Sequence, residues 1–199
     1  MFTGIIETTA KIDSMEYNPP SLKLQRASKN IRIAIELSKK WKIKIGESIA
    51  VSGVCLTVSD IKNNLYFFDI IPETLSKTTF GKNIYPEVNI ERSLVYGARV
   101  HGHLVSGHVD CVGKVVKVID GEDGYKIEIS YPKKFKKYII SKGSITVDGV
   151  SLTVAQAKLL SFVIAIIPHT LKITTLSNLE KGDFINLEFD NKKYVTTKY

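Results

Sequence analysis

Three histidines, an aspartate and a cysteine crowd one eleven-residue stretch: His101, His103, His108, Asp110 and Cys111. Imidazole titrates near neutral pH, so such a stretch suits proton transfer. The spacing matches no strong zinc pattern, and no metal is expected. The other cysteine, Cys55, lies in GVCLTV, two residues before Thr57. Residues i and i+2 of a strand point to the same side, so Cys55 and Thr57 present two small polar groups together. Ser151 and Thr153 in GVSLTV do the same. Such a pair can meet the polar edge of a flat ligand, or it can bond to neighbouring backbone. Two cysteines, neither in a CxxC pair, are too few for a disulfide framework. Each also reads as a small apolar packing residue.

These residues sit in elements that occur twice. IAVSGVCLTV (49–58) returns as ITVDGVSLTV (145–154), and IIPETLSKTTF (70–80) returns as IIPHTLKITTL (166–176). Aligned without gaps, 49–80 and 145–176 share 15 identities in 32 positions. FTGIIE (2–7) pairs with VSGHVD (105–110), and EVNIE (87–91) with FINLE (184–188). The chain is therefore a duplicated domain rather than a solenoid. Inside the repeat the copies diverge at Ser52/Asp148, Cys55/Ser151, Asp69/Ala165 and Glu73/His169.

Each copy reads as β. Ser52-Gly53 and Asp148-Gly149 separate short β-branched runs; Asp-Gly is a strong hairpin signal because both turn positions can take positive φ. Asn63-Asn64 marks another turn before Leu65–Ile71, and Phe162–Ile167 is the matching run of the second copy. Pro72 and Pro168 end these runs and can open short helices. Ser28–Lys40 has a mixed pattern. Many short strands in about 90 residues suggest a small closed barrel, which leaves no edge strand exposed.

In order along the chain, MFTGIIE, GVCLTV, PETL, HGHLVSGHVD, GVSLTV and IPHTL resemble the riboflavin synthase family of the α-chain type, from residue 1 to about residue 190. The resemblance implies an all-β chain: two tandem, duplicated, six-stranded antiparallel Greek-key β-barrels with a short C-terminal helix. The barrels would span 1–96 and 97–189, with 190–199 as the tail. It implies a dismutation in which two molecules of 6,7-dimethyl-8-ribityllumazine exchange a four-carbon unit, giving riboflavin and 5-amino-6-(D-ribitylamino)uracil without a cofactor. It implies a homotrimer whose active site lies between the N-terminal barrel of one chain and the C-terminal barrel of another. Ten tail residues are marginal for a helix without tertiary support, which weakens the trimer expectation.

The resemblance also implies the site residues. His108, Ser48 and Cys55 match catalytic positions: His108 for acid/base work, Ser48 or a water it holds as nucleophile. Phe2, Gly4, Ile5, Ile6, Cys55, Leu56, Thr57, Asp69, Ile70, Ile71, Pro72, Glu73 and Thr74 match substrate-contact segments in the first copy. His103, Gly107, His108, Val109, Lys142, Asp148, Ser151, Leu152, Thr153, Ile167, Pro168, His169, Thr170, Leu171 and Lys172 match them in the second. Two molecules of one compound must play different parts, so the four divergent pairs are expected to set the asymmetry.

Composition narrows the alternatives. The chain has 199 residues, 44% hydrophobic and 24% charged, as globular domains do. No apolar run approaches the ~20 residues of a membrane helix. MFTGIIETTAKID carries no basic n-region or apolar h-region, so no secretory signal is read and the cytoplasm is expected. The net charge is +8, shared evenly: 14 basic and 10 acidic residues in 1–99, and the same in 100–199. Lys133, Lys134, Lys136 and Lys137 read as a solvated face. A nucleic-acid barrel would stack bases on strand aromatics, but Tyr66, Phe67 and Phe68 are consecutive and do not share a face, so no nucleic acid and no membrane partner is expected. The remaining rival is a chromophore-holding protein of the same fold, such as the lumazine protein of luminous bacteria.

Overall fold

The computed structural model describes residues 1–17, 30–122 and 124–190. The N-terminal half forms β1 (Thr8–Tyr17), β2 (Ile31–Glu36), β3 (Ser48–Val51), β4 (Val54–Lys62), β5 (Leu65–Ile70), helix α1 (Pro72–Lys77) and β6 (Glu87–Arg92). The C-terminal half repeats the order as β7 (Cys111–Ile119), β8 (Tyr125–Ser130), β9 (Ser144–Val147), β10 (Val150–Ala157), β11 (Ser161–Ile166), α2 (Pro168–Ile173) and β12 (Phe184–Phe189). Each set closes into an antiparallel barrel. The rings run β1-β2-β5-β4-β3-β6 and β7-β8-β11-β10-β9-β12, the same Greek-key order twice. The expected C-terminal helix lies outside the described residues.

The hairpins form for the expected reason. Ser52 and Gly53 have φ of +43° and +79°, and Asp148 and Gly149 have +43° and +81°, so both turns are of the primed type that matches strand twist. Asn63 and Asn64 turn likewise, at +49° and +72°. Each barrel bends at two bulges, between Ile12 and Ser14 and between Val58 and Asp60 in the first, and at Val115/Lys117 and Val154/Gln156 in the second. Inward positions fill two separate cores. Ile33, Ile49, Phe68 and Ile90 anchor the first, and Ile127, Ile145, Phe162 and Ile185 the second; all are at most 1% exposed.

The segment before each barrel's first strand crosses to the other barrel. Ile6 belongs to the second core and Val109 to the first. The two arms meet where Phe2 and Val105 exchange backbone hydrogen bonds of 2.7 and 3.0 Å. Phe2, fully buried, packs there with Ala50, Val105 and Cys55.

Asn89 and Asn186 fasten the seam between barrels. Asn89 Nδ2 donates to the Asp148 carbonyl at 2.9 Å, and its Oδ1 accepts from Thr175 N–H at 2.8 Å. Asn186 mirrors it, with Nδ2 donating to the Ser52 carbonyl at 2.9 Å and Oδ1 accepting from Thr79 N–H at 2.8 Å. Among the described residues no helix is long and apolar enough to cross a membrane.

Candidate active site

Each β-hairpin that carries the repeated motif turns one face outward, and the opposite arm lies over it. Along β4 the burial alternates: Val54, Leu56 and Val58 point inward, while Cys55 and Thr57 point out. Cross-strand pairing places Ala50 opposite Cys55 and Ser48 opposite Thr57. In the second barrel Thr146 faces Ser151, and Ser144 faces Thr153. Cys55 N–H donates to the Gly107 carbonyl at 2.9 Å, and Ser151 N–H to the Gly4 carbonyl at 2.8 Å. Both arm glycines are required by space and by conformation. Their φ values are +80° and +74°, and a Cβ would come within 2.6 Å of the Cβ of Cys55 or of Ser151.

The first cleft, a cavity of about 330 Å³, is lined by Val54, Cys55, Glu73, Thr74, Lys77, Thr78, Gly107, His108 and Val109. Strand β4, helix α1 and the second arm thus meet in one place. Glu73 stands in the first turn of α1 and is paired with Lys77 at 2.9 Å, which holds its carboxyl below the usual range. Its counterpart His169 stands exposed in the first turn of α2. The caps Ile71 and Ile167 are 50% and 63% exposed, an apolar rim on each side. Pro72, Pro168, Thr170 and Lys172 lie on the two helices, and Leu171 packs on the second core.

The outward face of the second hairpin, covered by the first arm, holds a base–hydroxyl pair. His103 Nδ1 lies 2.7 Å from Ser151 Oγ, and its Nε2 lies 3.1 Å from Thr146 Oγ1. With Nε2 donating to Thr146, Nδ1 is left to accept from the serine hydroxyl. A base oriented by a third group beside a hydroxyl is the general layout for proton transfer or nucleophile activation. The first copy has Ala50 where the second has Thr146, and Cys55 where it has Ser151. His103 lies two residues ahead of the arm motif VSGHVD. The Ala50/Thr146 difference was the available signal for this pair.

Other expected site residues are placed differently. Leu56 and Ile70 are 4% and 0% exposed in the first core, and Leu152 packs on the second, so these offer backbone rather than side chain. Ile6 and Val109 are core residues as well, while Ile5 and His108 point out. Ser48 borders a neighbouring groove with Glu7, Trp41 and Arg92. It sits two residues along from Ala50, about 6–7 Å by strand rise. The Asp69 carboxylate is taken by Arg32, at 2.6 and 2.8 Å. Asp148 lies in the seam, where its Oδ1 accepts from Asn186 N–H at 2.7 Å and burial pushes its carboxyl up to about 7. Ser52 takes the same role, accepting from Asn89 N–H at 3.2 Å. Of the four divergent pairs, Cys55 and Glu73 line the first cleft, while Ser151 meets His103 under the first arm and His169 stands exposed on α2; Ser52/Asp148 belongs to the seam and Asp69 to the barrel wall. Lys142 is exposed in a left-handed turn (φ +66°), where the first copy has Gly46 (φ +91°).

Cys111 is buried in the second core and its thiol is pushed up to about 12, so it is an inert packing residue. Among the described residues no three histidine, cysteine, aspartate or glutamate side chains converge as a metal site. Sequence reasoning missed Asn89/Asn186 and Glu91/Glu188. Their identity in EVNIE and FINLE was the signal.

Two closed barrels, each with an outward hairpin face covered by the other's arm, define a tandem ligand-binding β-barrel protein. The lumazine binding domain model matches residues 3–93 and again 106–190. Riboflavin synthase of Actinobacillus pleuropneumoniae is 38% identical over 193 residues, covering 96% of this chain and 85% of that one. That of Bacillus subtilis is 36% identical, with 96% and 85% covered, and that of Mycobacterium bovis is 36% identical, with 100% and 96% covered. Among solved structures, LumP complexed with riboflavin superimposes with a TM-score of 0.83 at 28% identity, over 96% of this chain and 100% of that one. LumP complexed with 6,7-dimethyl-8-(1'-D-ribityl) lumazine gives 0.82 at 26%, with the same coverage. The chain belongs to the riboflavin synthase family and carries the lumazine binding domain twice.

Proposed function

We propose that the protein is a riboflavin synthase, a transferase that converts two molecules of 6,7-dimethyl-8-ribityllumazine into riboflavin and 5-amino-6-(D-ribitylamino)uracil. The products equal two substrates atom for atom, so the reaction draws on no oxidant, reductant or cofactor. The observation that carries the reading is the pair of similar but chemically unequal hairpin faces in one chain, each covered by the other barrel's arm. Similar faces suit two copies of one heterocycle, and their inequality suits a division of parts. Holding both in contact supplies proximity, with effective molarities that can reach about 10⁵ M or more.

The chemistry asks for a proton removed from the C7 methyl of one lumazine and a nucleophile at C7 of the other. The methyl anion delocalises into the heterocycle, so a mild base suffices. His103, aligned by Thr146 and linked to Ser151, is the base the geometry favours at the second cleft. His108, exposed at the rim of the first cleft, is the candidate for protonating the departing nitrogen there. Cys55 and Thr57 present small groups to the ring, and Ser48, on the next rung of the same face, or a water it holds is the candidate nucleophile. Lys142 is the candidate cation near the second ligand.

A homotrimer, with each active site formed by the first cleft of one chain and the second cleft of another, accounts for the exposed rim residues Ile5, Ile71 and Ile167. A cytoplasmic setting agrees with two free thiols. The match to LumP in complex with flavins favours a second reading, a non-catalytic chromophore carrier. Mixing the protein with the lumazine alone separates them: the enzyme produces flavin fluorescence in proportion to time, whereas a carrier leaves the lumazine spectrum intact indefinitely.

A further inference from the structure

Each arm is held by one buried carboxylate. Glu91 Oε1 accepts from Thr3 N–H at 2.7 Å and from the Thr3 hydroxyl at 2.8 Å, while Oε2 accepts from Gly4 N–H at 3.0 Å. Glu188 repeats the pattern on the other arm: Oε1 takes Ser106 N–H and its hydroxyl, both at 2.7 Å, and Oε2 takes Gly107 N–H at 2.9 Å. The two glutamates are 4% and 7% exposed. Burying a carboxylate is costly unless hydrogen bonds replace its water, and here the replacing donors come from the arms. Three donors on two oxygens fix both the position and the tilt of a peptide segment.

The geometry is crossed. Glu188 stands on β12 of the second barrel, but the arm it grips lies on Cys55 of the first. Glu91 stands on β6 of the first barrel, and its arm lies on Ser151 of the second. We propose that Glu91 and Glu188 are positioning residues that each set the cleft of the opposite barrel, Glu188 the cleft at Cys55 and Glu91 the cleft at Ser151. The consequence for ligand rests on the reading of the clefts as lumazine sites; the grip itself does not. Glutamine has nearly the same shape but one accepting oxygen, and its NH₂ would face an arm N–H, donor against donor.

Glu91→Gln and Glu188→Gln therefore test the proposal in two ways. Amide hydrogen exchange of the ligand-free chain reads the grip. In Glu188→Gln the amides of Ser106 and Gly107 should exchange at least tenfold faster, with those of Thr3 and Gly4 unchanged; Glu91→Gln should do the reverse. Titration with 6,7-dimethyl-8-ribityllumazine, followed at the backbone amides of Cys55 and Ser151 by NMR, reads the consequence. Each variant should weaken binding at least tenfold at the opposite barrel's cleft and less than twofold at its own. Unchanged arm exchange overturns the proposal. So does equal loosening of both arms in each variant, the mark of plain destabilisation. Selective loosening in a chain whose parent binds no lumazine upholds the grip and overturns the lumazine reading instead. If a glutamine variant does not fold, Thr3→Ala and Ser106→Ala each delete one donor and should loosen only their own arm, about threefold or more; no selective loosening again overturns it.

Discussion

His103 is held at both ring nitrogens, by Ser151 and by Thr146, and among the described residues no imidazole is held in this way at Cys55. If it takes the C7 methyl proton, His103→Ala should slow methyl exchange into D₂O and cut kcat by about 10²–10⁴-fold, the usual worth of a positioned base. Binding at the first cleft should stay unchanged. Asp148 makes a different prediction, about stability. Its carboxyl is raised by burial from 3.8 to about 7, so between those values the folded chain keeps a proton the unfolded chain has lost. Its favourable contribution is complete below about pH 4 and disappears as the pH rises through 7. Asp148→Asn should flatten the fall in unfolding free energy over that window, measured by urea denaturation at several pH values. Glu91 and Glu188, also raised by burial, act with the same sign and leave a residual slope. Lys142 occupies a left-handed turn that costs a non-glycine residue about 1–2 kcal/mol, offset by the entropy of a glycine in the unfolded chain. Lys142→Gly should thus change stability by less than about 1 kcal/mol, yet weaken ligand binding at the Ser151 cleft.

At the level of elements, the hairpins were legible and the outer strands were not. Asp148-Gly149 and Asn63-Asn64 state their turns in residue type, because positive φ selects for them. Strands β5 and β11 appeared where expected, within one residue, because continuous apolar runs stopped by proline leave little choice. The β1 sequence, TTAKIDSMEY, is half-buried at best, and its bulge breaks the two-residue alternation that would have marked it. The arms were legible only as motifs. That they cross between barrels depends on contacts such as Gly4 with Ser151, 147 positions apart in the chain, which no local pattern encodes. The same distance explains why Asp148 was expected in a cleft: its strand neighbours lie on the outward face, but the turn packs against Gly53 of the opposite barrel, where Asn89 takes the Asp148 carbonyl and the carboxylate turns back to Asn186 N–H of its own barrel. Asn89→Ala would orphan the buried Asp148 carbonyl and Thr175 N–H. We expect a loss of about 1–3 kcal/mol for each group, read from urea unfolding curves. Gly107→Ala should cost about 1–3 kcal/mol in backbone strain and abolish binding at Cys55, since the new methyl meets its Cβ.

For the whole molecule, the duplication is the feature that sequence states most fully and structure refines least. Two copies of one barrel are visible in 15 shared positions, and the closed rings follow. How the copies cooperate was not visible, because the seam and the crossed arms rely on a few polar side chains buried between them. If the active site is shared between chains, specific activity should fall on dilution as trimers separate. Constant specific activity in a sample shown by light scattering to be monomeric would assign both clefts of one chain to one reaction. The most direct measurement is product stoichiometry. Purified protein, supplied with 6,7-dimethyl-8-ribityllumazine alone in chelated buffer, should yield riboflavin and 5-amino-6-(D-ribitylamino)uracil in equal amounts, one of each for every two lumazines consumed. Lumazine recovered intact from a saturated complex would contradict the account.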